Sequence, residues 1–446
     1  MSASTKIPIT NTTLDSAVIN NQGVLISLAQ LLNAAHTLAK YIPETTHIIC
    51  LCQNRYYFMV AFCATLLKDA TNLLPPNKQS GTLEEIATNY PDCICLHDGA
   101  LIPDTIPSIQ INDIELNSTG EPVSAIPAVD KNHIAAIAFT SGSTGKPKAN
   151  RKTWGILSGT AKKLANRLTQ TLTTKPSIIA TVPSQHMYGL EMTIMMALYG
   201  NCLIDATHPF YPEEIAATLS NNDAPCVLVT TPVHLRALLS AEIDIAAVAK
   251  TISATAPLST ELAAQAEDKL QGIVEEIYGF TEAGSTATRR TIAGPVWDLL
   301  DGMSLSEKNS SIFVDGDHLP GSTPIQDNIN ALSSTQFEFL GRSEDMLNVA
   351  GKRASLSGLT EKILAIEGVT DAVVFIPPDK QTAGVTRPAA FVVSDLDEQH
   401  IRYAIANSID PVFIPRPLKK VPALPRNATG KLEREKLLAL LRQNDA

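Results

Sequence analysis

The sequence predicts an α/β fold: a large multi-layer N-terminal domain of parallel sheets and helices, then a small α+β domain at the C-terminus. Three observations carry that expectation. Short apolar runs of strand length alternate with stretches of helical apolar spacing through the first 130 residues, the order that builds parallel sheets covered by helices. The chain has 446 residues, more than one small core organises, so two or more domains are expected. From residue 359 onward a shorter helix–strand–strand–helix series appears.

The elements follow in order. Residues 25–41 have helical spacing, and 47–52 form a short apolar strand. Residues 58–68 are a helix, 70–74 a strand, 82–90 a helix after a Ser-Gly turn, and 93–96 a strand. Residues 103–129, rich in Pro, Ser and Asn, are a connector. The apolar run 134–139 is a buried strand that leads into Thr140-Ser-Gly-Ser-Thr-Gly-Lys-Pro-Lys148. This stretch has four hydroxyls (Thr140, Ser141, Ser143, Thr144), two glycines (Gly142, Gly145) and two lysines (Lys146, Lys148), and a helical pattern from about Lys152 to Leu168 follows. Glycines let backbone N–H groups turn toward an anion, hydroxyls add donors, lysines add charge, and a helix start adds a favourable dipole. The chemistry is that of a phosphate loop, without Walker A spacing. A solvated Ser/Gly turn accounts for the glycines but poorly for the lysines.

Further along, 177–182, 226–230 and 252–257 are strands or strand ends, and 232–239 is a helix. In the last part 359–366 is a helix, 369–376 and 389–393 are strands, and 397–407 is a helix.

Composition narrows the function. Hydrophobic content of 44% and charged content of 18% are those of an ordinary globular enzyme. A net charge of −10 argues against a nucleic-acid partner. Residues 1–13 lack a signal pattern, and the longest apolar run, 56–67, is too short to span a bilayer. A cytoplasmic protein without an integral membrane segment is expected. The seven cysteines include pairs spaced two apart (Cys50/Cys52, Cys93/Cys95), which reads as buried reduced thiols and not as a zinc site.

Thr140 to Lys148 resembles the phosphate loop of the adenylate-forming superfamily, which includes acyl-CoA synthetases, peptide-synthetase adenylation domains and aryl-acid ligases. Further likenesses come in the expected order. Pro183-Ser-Gln-His-Met-Tyr-Gly-Leu-Glu191 resembles the stretch at the mouth of the carboxylate pocket, where His186 would stand; a packing role at a helix start is the alternative. Ser253-Ala-Thr-Ala-Pro257 departs from the Gly-rich segment that meets adenine, yet Ala254, Thr255 and Ala256 still permit close approach. Ile277-Tyr-Gly-Phe-Thr-Glu-Ala283 resembles a Tyr-Gly-x-Thr-Glu motif after a strand. An aromatic face can stack a purine, and a carboxylate is a hard ligand for Mg²⁺. Asp327, read as lying in a loop, and Gly341-Arg-Ser-Glu-Asp-Met-Leu-Asn-Val-Ala-Gly-Lys-Arg353 match the ribose and hinge segments. Val421-Pro-Ala-Leu-Pro-Arg-Asn-Ala-Thr-Gly-Lys-Leu-Glu-Arg434 is similar to the C-terminal Pro-Arg-x-x-x-Gly-Lys loop.

The resemblance implies an ATP-dependent acid ligase. It would form an acyl-adenylate with Mg-ATP and pass the acyl group to the thiol of CoA or of an acyl carrier protein's phosphopantetheine. It implies a large ATP- and acid-binding domain over 1–341 and a small mobile domain over 342–446, with the hinge near Glu344. By resemblance Tyr278 stacks on adenine, Thr281 contacts the α-phosphate, Glu282 holds Mg²⁺, and Asp327 and Arg342 serve the ribose. Lys431 is the catalytic lysine, and the region of Gly351 and Arg353 turns to the thiol channel. The stretch between Glu282 and Asp327 is short for the superfamily. A shortened member of this kind implies an aryl or medium acyl acid, as loaded in aryl-polyene-like pathways. Residues 411–436 hold seven Lys/Arg against two Glu, a basic patch suited to CoA phosphates, to an acidic carrier protein, or simply to solvent. The competing class is a non-catalytic nucleotide-binding homologue.

Overall fold

Strands buried on both faces read as continuous apolar runs, and such runs form the interior of this chain. The computed structural model describes residues 5–443 apart from 117–122, 142–146, 170–171, 173, 310, 343–345, 350–351, 378–386 and 428–429. The chain divides into two compact units, Met1–Thr323 and Pro324–Ala446. The expected domain boundary at residue 341 falls within the second unit.

The first unit contains two large sheets. In one, the strands run in the order Pro147–Thr153, Ile134–Ser141, Thr71–Leu74, His47–Cys50, Ile94–His97, Ser108–Gln110. All neighbours are parallel except the first pair, an antiparallel hairpin. In the other, Ile273–Phe280, Lys250–Ser253, Cys226–Thr230, Ser177–Ala180, Leu203–Asp205 and Ala17–Asn21 are parallel neighbours, with an antiparallel partner added at each side. Cys226–Thr230 is buried at every position, as its unbroken apolar run requires.

Helices fill the space beside the sheets. Leu28–Tyr41 starts at a capping box in which Ser27 and Gln30 satisfy each other's backbone N–H. The residues before it, Val24–Ser27, form an edge strand, so the helix is shorter than its apolar spacing suggests. Arg55–Leu67 is buried almost throughout, which explains the long apolar run without a membrane. Among the described residues no helix is long and apolar enough to cross one. All seven cysteines are free and buried.

The second unit carries two hairpins, Asp327–Ala331 with Gln336–Arg342 and Met346–Val349 with Lys352–Ser355. A sheet follows in the order Val369–Phe375, Ala389–Ser394, Leu418–Lys420. Alternate residues of that sheet face opposite ways: Ala372, Val374, Ala390 and Val392 pack on Ile363, Ile401 and Ile405. Phe375, Phe391 and Ala389 pack on Leu437 and Leu441 of the last helix.

Candidate active site

The predicted phosphate loop lies between two antiparallel strands, Ile134–Ser141 and Pro147–Thr153. Thr140 and Ser141 end the outgoing strand and pair with Lys148 and Pro147 of the returning one. Gly142, Ser143, Thr144, Gly145 and Lys146 lie outside the described residues. The expected strand–loop–helix arrangement is corrected here: Lys152 belongs to the returning strand, and the helix is Trp154–Thr169. Its first N–H groups are already satisfied, Trp154 N donating to His133 O and Gly155 N to Lys131 O, both at 2.8 Å. At about 3.4 Å per strand residue, the helix start is roughly 20 Å from the loop, beyond the reach of a helix dipole.

A second hairpin meets the first. The Tyr-Gly-x-Thr-Glu residues do not follow a strand as expected; Tyr278, Gly279 and Phe280 are the end of the strand Ile273–Phe280, and Thr281–Ala283 turn into Gly284–Arg290. The register shifts between Tyr278 and Gly279, and a Cβ at Gly279 would lie 2.5 Å from the Gly284 carbonyl oxygen. Only glycine fits there.

Across the two hairpins, Lys148 Nζ lies 3.1 Å from Glu282 Oε1. Lys152 Nζ donates to the Glu282 backbone carbonyl at 2.7 Å. The Lys148–Glu282 pair is 66% and 44% exposed, so it is worth at most about 1 kcal/mol and both ends can be recruited elsewhere. Lys152 is buried, and burial pushes its pKa down to about 8 against the pull of Glu191 and Glu282. Glu191 is buried as well, on a π-helical turn, Glu191–Met195. Its Oε2 accepts from Ser285 N at 3.2 Å and Ser285 Oγ at 2.5 Å. Burial raises its pKa, opposed by Ser285 and Lys152.

Tyr278 is 8% exposed, with Trp297 at 5.8 Å and Phe280 at 6.2 Å between ring centroids. Arg289 lies over Trp297 at 4.7 Å and donates through Nε to Glu276 Oε2 at 2.9 Å. Glu276 also accepts from Leu258 N at 3.1 Å, which ties the segment 254–256 to this strand. In that segment Thr255 has φ +78, a left-handed conformation that costs a β-branched residue energy and that glycine adopts freely. The departure from a Gly-rich sequence leaves the glycine-like backbone in place.

His186 is the residue before the one-turn helix Met187–Leu190 and is half-buried. Two residues on, Tyr188 OH donates to Ile252 O at 2.9 Å and Thr230 O at 3.1 Å, pinning the segment to two strand ends. Arg55, fully buried, buttresses the approach: Nη2 donates to Ala180 O at 2.6 Å and Val182 O at 2.9 Å. Nearby, His208 Nε2 is 3.2 Å from Thr181 O and His234 Nδ1 is 2.8 Å from Thr181 Oγ1. Burial lowers these imidazoles to about 3 and about 4.

In the second unit Asp327 is not in a loop, as expected, but in a strand, and its register partner is Arg342. The two residues assigned to the ribose are thus neighbours across one hairpin. Arg353 stands opposite Asn348 in the next hairpin; Glu344 and Gly351 lie outside the described residues. Lys431 is exposed in a loop with its own anchor. Arg426 grips Asp371 bidentately, with Nε–Oδ2 and Nη2–Oδ1 both 2.7 Å, and Nη1 donates to Gly430 O at 2.7 Å. Asn427 Oδ1 accepts from Lys431 N at 2.9 Å. The basic patch is weaker than its sequence: Arg426 is spent on Asp371, Lys420 on the Leu396 carbonyl and Lys436 on Glu433.

Sequence reasoning passed over Lys152, Glu191 and Arg55. A signal existed for Glu191, the one charged residue in the apolar stretch 187–199. Arg55 and Lys152 had none: Arg55 opens a helix after polar residues, and Lys152 stands between Arg151 and Thr153 near the end of its strand.

The profile of AMP-binding enzymes matches residues 11–302, and that of the AMP-binding enzyme C-terminal domain matches 361–431. A 3,4-dihydroxybenzoate–[aryl-carrier protein] ligase of Bacillus anthracis is 24% identical over 312 residues, 68% of this chain and 73% of its own. A 4-coumarate–CoA ligase of Rhodobacter capsulatus is 29% identical over 309 residues, 66% of this chain and 74% of its own. O-succinylbenzoate coenzyme A synthetase of Bacillus subtilis, in complex with AMP, superposes with a TM-score of 0.80 at 17% identity, covering 97% of this chain and 98% of that one. That last likeness is one of fold.

Proposed function

The chain belongs to the AMP-binding enzyme family, and from that premise we propose that it is an ATP-dependent ligase that joins a carboxylic acid to AMP and passes the acyl group to a thiol. The observation that carries the reading is the meeting of Lys148, exposed on the phosphate-loop strand, with the Glu282 carboxylate, 134 residues away. A polyphosphate needs cations and its metal needs a carboxylate; both arrive at one turn. No observation favours a non-catalytic homologue.

In the first step a substrate carboxylate oxygen attacks the α-phosphorus of ATP, the bond to pyrophosphate breaks, and a mixed anhydride forms. In the second, a thiolate sulfur attacks the acyl carbon and AMP leaves. Neither step needs a nucleophile from the protein, so positioning and charge neutralisation are the catalysis. We assign the loop 140–148 to the β- and γ-phosphates, Thr281 to the α-phosphate and His186 to the mouth of the acid pocket. Tyr278, with residues 254–256, serves adenine, and Asp327 with Arg342 the ribose. Lys431 neutralises charge between carboxylate and α-phosphate. The small domain then turns near Glu344, withdrawing Lys431 and offering the Gly351 and Arg353 region to the thiol.

The donor set fits a Mg²⁺ that arrives with the nucleotide. Among the described residues no cluster of three or more His, Cys, Asp or Glu could hold a metal by itself. Glu282 offers one half-exposed carboxylate, the small protein share usual for Mg²⁺ bound largely by phosphates and water. When bound, the ion would offset charge on the phosphates; Glu282 would orient it.

Relatives named for 3,4-dihydroxybenzoate and 4-coumarate support an aryl acid in the substrate pocket, with a medium acyl acid second. One is named for an aryl-carrier protein and another for CoA, so the acceptor is the phosphopantetheine thiol common to both. The work would be cytoplasmic, where buried reduced cysteines are at home. Acid-dependent ATP–pyrophosphate exchange across a panel of aryl and fatty acids tests the reading. ATP binding without exchange for any acid would overturn it.

A further inference from the structure

Lys152 and Glu191 have no part in the chemistry above, yet both are charged and buried, at 1% and 2% exposure. A buried charge costs several kcal/mol unless something offsets it. Two of them beside the reacting turn ask for a reason. Lys152 spends its ammonium on a main-chain oxygen, the Glu282 carbonyl, at 2.7 Å. Glu191 reaches the other side of the same turn. One of its oxygens takes the N–H and hydroxyl of Ser285 at 3.2 and 2.5 Å. The other lies 2.6 Å from where a Cβ on Gly284 would stand, and Gly284 has φ +82. The turn is therefore held at Glu282 from the phosphate-loop strand and at Gly284–Ser285 from a π-helical turn, an irregularity often found at functional sites.

We propose that Lys152 and Glu191 are a buried positioning pair that fixes the Thr281–Glu282 turn, so that the Glu282 carboxylate presents to the metal–nucleotide in one orientation. The inference rests on the reading that Glu282 holds Mg²⁺. The opposite charges offset each other's burial, while the hydrogen bonds set the backbone. Apolar residues of similar volume would pack as well but could not grip a carbonyl. Lys148 differs: it touches the carboxylate itself, from an exposed position, and yields when phosphate arrives.

Binding of α,β-methylene-ATP, followed by calorimetry as Mg²⁺ is varied, tests the pair without turnover. Lys152→Met should raise the Mg²⁺ needed for half-saturation by about tenfold, the scale on which partners behind a metal ligand act. Binding in EDTA should not change. Lys152→Arg keeps charge and donor and should stay within about threefold of wild type. The double variant Lys152→Met/Glu191→Gln removes both charges, should melt near the wild-type temperature, and should keep the tenfold rise. It decides the matter if the single Met variant does not fold. Wild-type Mg²⁺ half-saturation in the double variant overturns the proposal. Glu282→Gln is the parallel arm. If it shifts Mg²⁺ and the double variant does not, only the pair falls; if Glu282→Gln has no effect, its metal role falls and the pair with it.

Discussion

Asp371 is 55 residues from the motif residue it holds, Arg426, and removing it should slow the first half-reaction and not the second. Its carboxylate takes two charge-assisted hydrogen bonds from Arg426, each 2.7 Å, and Arg426 in turn holds the Gly430 carbonyl beside Lys431. Hydrogen bonds to charged groups contribute about 1.5–3 kcal/mol each. The two side chains are 17% and 22% exposed, so we discount for solvent and take about 2 kcal/mol for the pair. At 1.4 kcal/mol per decade, Asp371→Ala should lower the ratio of ordered to disordered Lys431 loop by roughly 30-fold. The assay is single-turnover adenylate formation, set beside transfer of chemically made acyl-adenylate to the thiol acceptor. Adenylation should fall by up to about that factor and transfer should stay near wild type. Asp371→Asn, which keeps an acceptor but no charge, should lie between. Unchanged adenylation would refute the anchor. Equal losses in both steps would show that the whole unit had been destabilised instead.

Other outcomes follow from the same structure. Lys431→Ala should cost adenylation roughly 10²-fold or more and spare transfer, while Glu344→Pro, by fixing φ at the proposed hinge, should do the reverse; rapid-quench measurements of each step decide between them. Asp327→Ala should weaken ATP binding by about 2–3 kcal/mol without changing the acid KM, as equilibrium dialysis would show; unchanged ATP affinity would remove Asp327 from the ribose. His208 and His234 protonate near 6.5 when unfolded but only near 3 and 4 when folded, so the unfolded chain binds more protons as pH falls below about 6.5. Each should cost about 1–2 kcal/mol of stability between pH 7 and 5, and urea midpoints should fall less over that range in His208→Gln/His234→Gln; equal pH slopes would contradict this.

The parallel sheets and the order of motifs were legible because buried strands and glycine-dependent turns leave marks in the sequence. Gly279 is one such mark, since a side chain there would strike the next strand. Asp327 was misplaced because its own strand, Asp327–Ala331, has no buried residue and one large apolar side chain, too little for alternation to be read. Lys152 misled for a related reason. A lysine before a helical pattern looks like a solvated first turn, and only the fold shows that strand pairing carries it one register further, into the interior. Glu191 stood out in an apolar run, but its partner, Ser285, is 94 residues away.

An enzyme that makes an acyl-adenylate builds a reagent able to acylate any thiolate within reach, including its own. This chain carries seven cysteines, and each is buried. Burial pushes Cys63 and Cys202 up to about 12, and Cys93 and Cys226 to about 11. A thiol near 12 is ionised to only about one part in 10⁴–10⁵ at neutral pH, and the thiolate is the form that attacks. The same packing that fills the sheets thus keeps these thiols away from the protein's own intermediate. Selectivity for the acceptor begins with the burial of these seven side chains, before any recognition of the acceptor's shape or charge.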